Sequence, residues 1–257
     1  MAQVGFADMS MRAAGLLCFL MAATAAAGTR NPSVSDEKYV AYGSQFHSVA
    51  VFCSVREDDH TEQHASCVII SPRHVLTAAH VVAGTDRWWI RHDGKDIALT
   101  GISIKDGFSE DSVGDDDIAV GRLSEEVRLD YYPALYGSDD ECGKVASISG
   151  YGMEGTFSSG SVASDGVRRA GSNVIEGTSS RGLLICVAGG ERLTELEFCI
   201  SPGDSGGGLF IGSKLAGINS FVMSDKGKPR STWGNESAHV RVSVHLAWIE
   251  GQVKCDE

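Results

Sequence analysis

The 257-residue chain is 42% hydrophobic and 22% charged, the composition of a soluble globular protein that can bury a full core. Its formal charge of −12 repels nucleic acid and anionic lipid, so neither is expected as a partner. No Cys-x-x-Cys offers zinc-ligand spacing, so no metal and no cofactor is expected.

Residues 1–27 read as a targeting segment. Arg12 precedes a continuous apolar or small run, Ala13 to Ala27, that is too short to span a bilayer and ends in an Ala-x-Ala cleavage pattern before Gly28. A signal peptide over 1–27 is therefore expected, with a secreted, extracellular mature chain that has no membrane contact after cleavage. Short segments rich in β-branched and aromatic residues follow, separated by Gly, Ser and Asp. A first set runs through Ser48–Val55, Ser66–Ser71, His74–Ala78, Trp88–His92, Ile97–Ile104 and Asp117–Leu123. A second runs through Val145–Gly150, Val167–Ile175, Leu183–Val187, Gly207–Ile211, Leu215–Val222 and Ala238–Val242. This spacing predicts an all-β barrel or sandwich, with none of the long helices of a parallel α/β sheet. Leu123–Asp140 reads as a crossing between two subdomains. Val242, Leu246, Ile249 and Val253 recur at helical spacing, which predicts a closing helix over 243–254 with Ser243 as its N-cap.

Three stretches carry chemistry. In Gly203-Asp204-Ser205-Gly206-Gly207, the glycines allow a tight turn that aims the N–H groups of Gly203 and Ser205 into one space, an oxyanion hole beside the Ser205 hydroxyl. A serine needs a base to act as nucleophile, and Leu76-Thr77-Ala78-Ala79-His80 supplies one just after an apolar strand. Asp117-Ile118-Ala119-Val120 puts a carboxylate at the mouth of another apolar strand, where burial demands a partner such as the His80 ring. Asp115 and Asp116 compete for that role; Asp117 is preferred because it directly precedes the apolar run.

Together, and in this order, these stretches resemble the trypsin–chymotrypsin family of serine proteases, and the resemblance runs from about Ser48 to Val253. It implies two six-stranded antiparallel Greek-key β-barrels packed perpendicular, about 40–125 and 140–242, with the active site in the cleft between them and a C-terminal α-helix. It implies a monomeric endopeptidase acting on protein or peptide substrates through an acyl-enzyme, with His80, Asp117 and Ser205 as its triad. Gly217-Ile218-Asn219-Ser220-Phe221 looks like the family's substrate-binding strand, with Ser220 beside the catalytic aspartate, and Gly150-Tyr151-Gly152 resembles the family's Gly-Trp-Gly. The chain departs from animal members in having no Ile-Val-Gly-Gly start to pair with Asp204; Arg30–Val40 looks like the leader of bacterial-type members, and Cys199-Ile200-Ser201-Pro202 like a streptogrisin-type approach to the serine.

The resemblance also puts Glu197 near the floor of the specificity pocket, which favours cleavage after Arg or Lys. Val222 and Ser237, standing where trypsin-like members have glycine, favour small apolar residues instead, and both outcomes stay open. Six cysteines remain in the mature chain, an even number that predicts three disulfides: Cys53–Cys67, Cys186–Cys199 and Cys142–Cys255 are one arrangement among many. A catalytically silent homologue that binds a protein partner is the rival reading. An esterase is a weaker one, because no Gly-x-Ser-x-Gly elbow sits in an α/β setting.

Overall fold

A computed structural model describes residues 28–111, 114–179, 182–224 and 229–255. The expected signal peptide, 1–27, lies outside the described residues. The chain opens with a two-residue strand, β1 (Thr29–Arg30), and a helix, α1 (Asp36–Gly43). Six strands follow: β2 (Val49–Arg56), β3 (Glu62–Ser71), β4 (His74–Thr77), β5 (Thr85–His92), β6 (Lys95–Ile104) and β7 (Ala119–Leu123). They close into an antiparallel barrel in the order β2-β3-β4-β7-β6-β5. After the crossing come β8 (Val145–Gly150), β9 (Glu154–Thr156), β10 (Gly160–Ala163), β11 (Arg169–Thr178), β12 (Leu183–Val187) and β13 (Phe198–Cys199). The chain ends with β14 (Gly208–Ile211), β15 (Lys214–Met223), β16 (Glu236–Arg241) and a helix, α2 (Val242–Cys255). The second closed barrel is β11-β12-β16-β15-β14-β8, and β10-β9-β1-β13 form a small separate sheet.

Each of the twelve expected strands falls on a barrel strand, and the short run His74–Thr77 is buried over its whole length. The short elements β1, β9, β10 and β13 and helix α1 carry too little periodicity to be read in advance. Helix α1 is anchored instead by Tyr39, which is fully buried and donates its hydroxyl hydrogen to Glu197 O, and by an ion cluster in which Asp36 accepts from Arg30 and Arg169.

One core joins the two barrels. Ile118 and Leu123 of the first, Phe210, Ile218 and Val240 of the second and Ile249 of α2 belong to the same buried cluster. Burial of a side chain of this size contributes about 1.5–3 kcal/mol, so the shared core holds the two barrels against each other. Ser243 is not the N-cap of the terminal helix. The helix begins at Val242, and the Ser243 hydroxyl donates to Glu141 Oε1 beside a bidentate Arg241–Glu141 pair that fixes the crossing to the start of α2.

The expected disulfides are absent: Cys53, Cys67, Cys142, Cys186, Cys199 and Cys255 are all free thiols. The β2–β3 register sets Cys53 opposite His64 and Cys67 opposite Ala50, so the first two cysteines are three positions out of step. At about 3.3 Å per residue their Cα atoms are too far apart to bridge. Cys186 and Cys199 lie on either side of Ser237, which pairs with Cys186 across the sheet and donates its hydroxyl hydrogen to Cys199 Sγ at 3.4 Å. Cys142 and Cys255 are exposed.

Candidate active site

His80 sits in a single 3₁₀ turn (Ala79–Val81) directly after β4, on Ala78 and Ala79, both fully buried. Small residues there let the turn lie against the strand that brings Asp117. Just before that strand, Asp116 takes a left-handed conformation (φ 49°) and its carbonyl accepts from Ile118 N at 2.7 Å. Aspartate tolerates this region, and the turn sends the neighbouring Asp117 inward. Asp117 is 2% exposed. One of its oxygens accepts from the His80 backbone N–H and the other meets His80 Nδ1, each at 2.8 Å. The Ser220 hydroxyl donates to that second oxygen. Burial alone would raise the Asp117 pKa, but the hydrogen bonds and charge of His80, with the Ser220 hydroxyl, overcome it and hold the carboxyl below its ordinary value. With Nδ1 donating to Asp117, Nε2 is left as the basic nitrogen of His80. Asp115 and Asp116 are half-buried; Asp116 faces the His245 ring at 3.7 Å.

Ser205 lies across the cleft from this pair. Its hydroxyl donates to Ser220 O at 3.2 Å, and it shares with His80 the lining of a cavity of about 780 Å³ between the barrels. Gly203 has φ +96°, open only to glycine, and a Cβ there would press on Gly152 Cα at 2.9 Å. Among the described residues the N–H groups of Gly203 and Ser205 have no protein acceptor, so both are free to bind an anion. Gly206 has no room for a side chain, since a Cβ would lie 2.1 Å from Ser66 O.

Two groups hold this loop in roles that sequence reading did not assign. Ser66, on β3 of the first barrel, donates its backbone N–H to Ser205 O at 2.9 Å and its hydroxyl hydrogen to Gly203 O at 2.8 Å, and the hydroxyl oxygen accepts from Tyr151 N. Thr77 Oγ1 donates to Ser66 O in turn. The signal was present only as a serine in an apolar strand. Asp204, fully buried, accepts from Gly152 N and Ser201 N, each at 2.8 Å, and from the Ser201 hydroxyl. Burial pushes its pKa up to about 6, against the partial offset of those donors. Among the described residues no cation is in ion-pair contact with it.

Residues 40–249 match the protein family described as Trypsin. The chain belongs to the trypsin family. No curated protein matches it significantly in sequence. A solved structure of a protein named HL collagenase is similar in fold, with a TM-score of 0.66 at 16% identity over 82% of this chain and 95% of that one. The chain accordingly belongs to the trypsin-like serine protease family, and its two closed barrels match that fold.

The family-derived specificity residues are placed differently from expectation. Phe221 and Val222 line the cleft beside Ser220. Glu197 neither floors the pocket nor faces solvent. It is 2% exposed, and its carboxylate accepts from Asn173, Gly189 N, Thr194 N and the Thr194 hydroxyl. A carboxylate between strands satisfies its lone pairs with nearby N–H groups, which turns it away from the cleft. Ser237 is fully buried with its hydroxyl on Cys199, outside the cleft lining. The described wall instead consists of Ile200, Ser201, Val222 and Ser231, with Arg230 at its exposed edge and no carboxylate.

Proposed function

We propose that the protein is a secreted serine endopeptidase in which Ser205 attacks the peptide carbonyl, His80 takes and returns the proton, and Asp117 orients and stabilises the imidazolium. The observation that carries this reading is the His80–Asp117 pair. A carboxylate that is 2% exposed is committed to both the backbone and the ring of one histidine, across the cleft from a serine on a glycine-rich loop. In this reading the Ser205 hydroxyl leaves Ser220 O to face His80 as substrate binds, since catalytic hydrogen bonds often tighten only in the complex. The carbonyl carbon becomes tetrahedral, and its oxyanion takes the N–H groups of Gly203 and Ser205. His80 then protonates the leaving amine, and water repeats the cycle on the acyl-enzyme.

The cleft wall supports a specificity for small or apolar side chains before the scissile bond. With Arg230 at its edge and no carboxylate among the described lining residues, it offers a cationic side chain no partner. The test is hydrolysis of matched peptides with Ala or Arg before the scissile bond, by wild type and by Ser205→Ala. The reading expects cleavage of the Ala peptide and its loss, by ~10⁴-fold or more, in the variant. Retained activity in purified Ser205→Ala refutes it, and a preference for Arg refutes the specificity.

A further inference from the structure

The β2–β3 hairpin gathers three metal-ligating side chains, one of which, His64, lines the same cleft. Cys53 and His64 are direct cross-strand partners and Glu62 lies two residues before His64, so all three project from one face. One ligand atom from each, the Cys53 sulfur, a Glu62 carboxylate oxygen and a His64 ring nitrogen, lie within 4.8 Å of one another. His64 Nε2 and Glu62 Oε1 are already 2.6 Å apart. Cys53 is fully buried at the base, while the His64 and Glu62 side chains are 54% and 47% exposed. A cation therefore reaches the sulfur from solvent past two exposed side chains. Ligand atoms around tetrahedral zinc are about 3.4–3.7 Å apart, so the His64–Glu62 pair opens by about 1 Å to admit the ion between them while the sulfur stays within reach. One thiolate, one imidazole and one carboxylate select a borderline-soft divalent ion over calcium or magnesium. His64 also lines the catalytic cleft beside His80.

We propose that Cys53, Glu62 and His64 form a zinc site with its fourth position open to water, and that zinc held there slows substrate turnover by fixing His64 across the cleft rim. The site stands on its own geometry; the effect on turnover rests on the peptidase reading. Binding breaks the Cys53 S–H bond, forms a sulfur–zinc bond and releases the proton to solvent. The charged groups facing the thiol are Glu62 and His64 on β3, Arg91 on β5 and Asp96 on β6, of which Arg91 and Asp96 neutralise each other in a bidentate pair. Sequence spacing hid this site because its ligands come from two strands.

Cobalt(II) replaces zinc as a coloured probe. Titrated into the full Ser205→Ala chain, it is expected to give one equivalent of a tetrahedral spectrum with a thiolate-to-cobalt charge-transfer band, and Cys53→Ala added to that chain removes the band. In the active chain, zinc is expected to inhibit peptide hydrolysis and a chelator to restore it. Cys53→Ala and Glu62→Gln should keep the zinc-free rate and need at least ~10-fold more zinc for half-inhibition. If Cys53→Ala fails to fold, Glu62→Gln decides. Absence of the charge-transfer band overturns the site. Equal inhibition of the variants and wild type overturns the effect on turnover, since zinc is then acting at His80. A cobalt band in a chain that hydrolyses no peptide upholds the site and fails only the peptidase reading.

Discussion

Two buried aspartates flank the nucleophile, and they are held in opposite ways. Asp117 meets a ring that can become a cation, with a hydroxyl beside it, and its pKa is lowered. Asp204 meets two backbone N–H groups and a hydroxyl, none of which can take a charge, and its pKa is raised to about 6. Burial pushes both upward; only the partner that can ionise reverses the sign. The comparison teaches that Asp117 is built to stay charged next to a developing imidazolium, whereas Asp204 is built to hold a loop in place.

The comparison breaks most visibly in activity. Asp117→Asn is expected to lower kcat by ~10⁴-fold with little change in fold, because the amide favours the wrong His80 tautomer. Asp115→Asn and Asp116→Asn should stay within a few-fold, and a reversal of that ranking in steady-state peptide hydrolysis would reassign the role. Ser66→Ala, which frees the carbonyls of Gly203 and the Tyr151 N–H but leaves His80 and Asp117 untouched, should lower kcat by ~10–10²-fold. That is less than the ~10²–10³-fold typical of deleting an oxyanion donor itself, because Ser66 acts through the loop. An effect confined to KM would mean that the loop keeps its shape without it.

Stability against pH sharpens the contrast. The folded-state pKa of Asp204 lies above its ordinary 3.8, so the folded chain keeps a proton that the unfolded chain releases between about pH 4 and 6. Its contribution to stability is therefore full below about pH 4 and lost as pH rises through about 6, on the order of 3 kcal/mol for two pK units. Asp117 runs the other way: its contribution is present above pH 3.8 and lost as pH falls through its lowered folded value. The Tm difference between Asp204→Asn and wild type should thus grow more positive from pH 4 to pH 7; a flat difference would contradict the assignment. The smallest effect on catalysis is expected from Glu197→Gln, which should lower Tm by disturbing its four donors and leave the Ala-over-Arg preference unchanged. Comparing the two peptides on the variant checks this.

How much of this was legible in the sequence follows from the same physics. His80, Asp117 and Ser205 were readable because each sits in a short stretch with unusual neighbours: small residues after a strand, a charge at a strand mouth, glycines around a hydroxyl. The twelve barrel strands were readable because burial on the barrel interior imposes a pattern on every one. Ser66 and Asp204 were not assigned their loop-holding roles, since what makes them matter is a contact between barrels that no local pattern encodes. Glu197 was misplaced for the same reason: its partners Asn173, Gly189 and Thr194 come from three segments, and only their convergence shows that the carboxylate turns inward. The cysteine count suggested pairing, but register, which the count does not contain, keeps Cys53 and Cys67 apart.

The most direct test of the central claim is covalent. The full chain, its Ser205→Ala variant and its His80→Ala variant are treated with a phosphonofluoridate, and the adduct is located by peptide mass mapping. The account predicts one adduct per wild-type chain on Ser205, none on Ser205→Ala and a greatly slowed reaction in His80→Ala. An unlabelled wild type, or an adduct on any other residue, would contradict it.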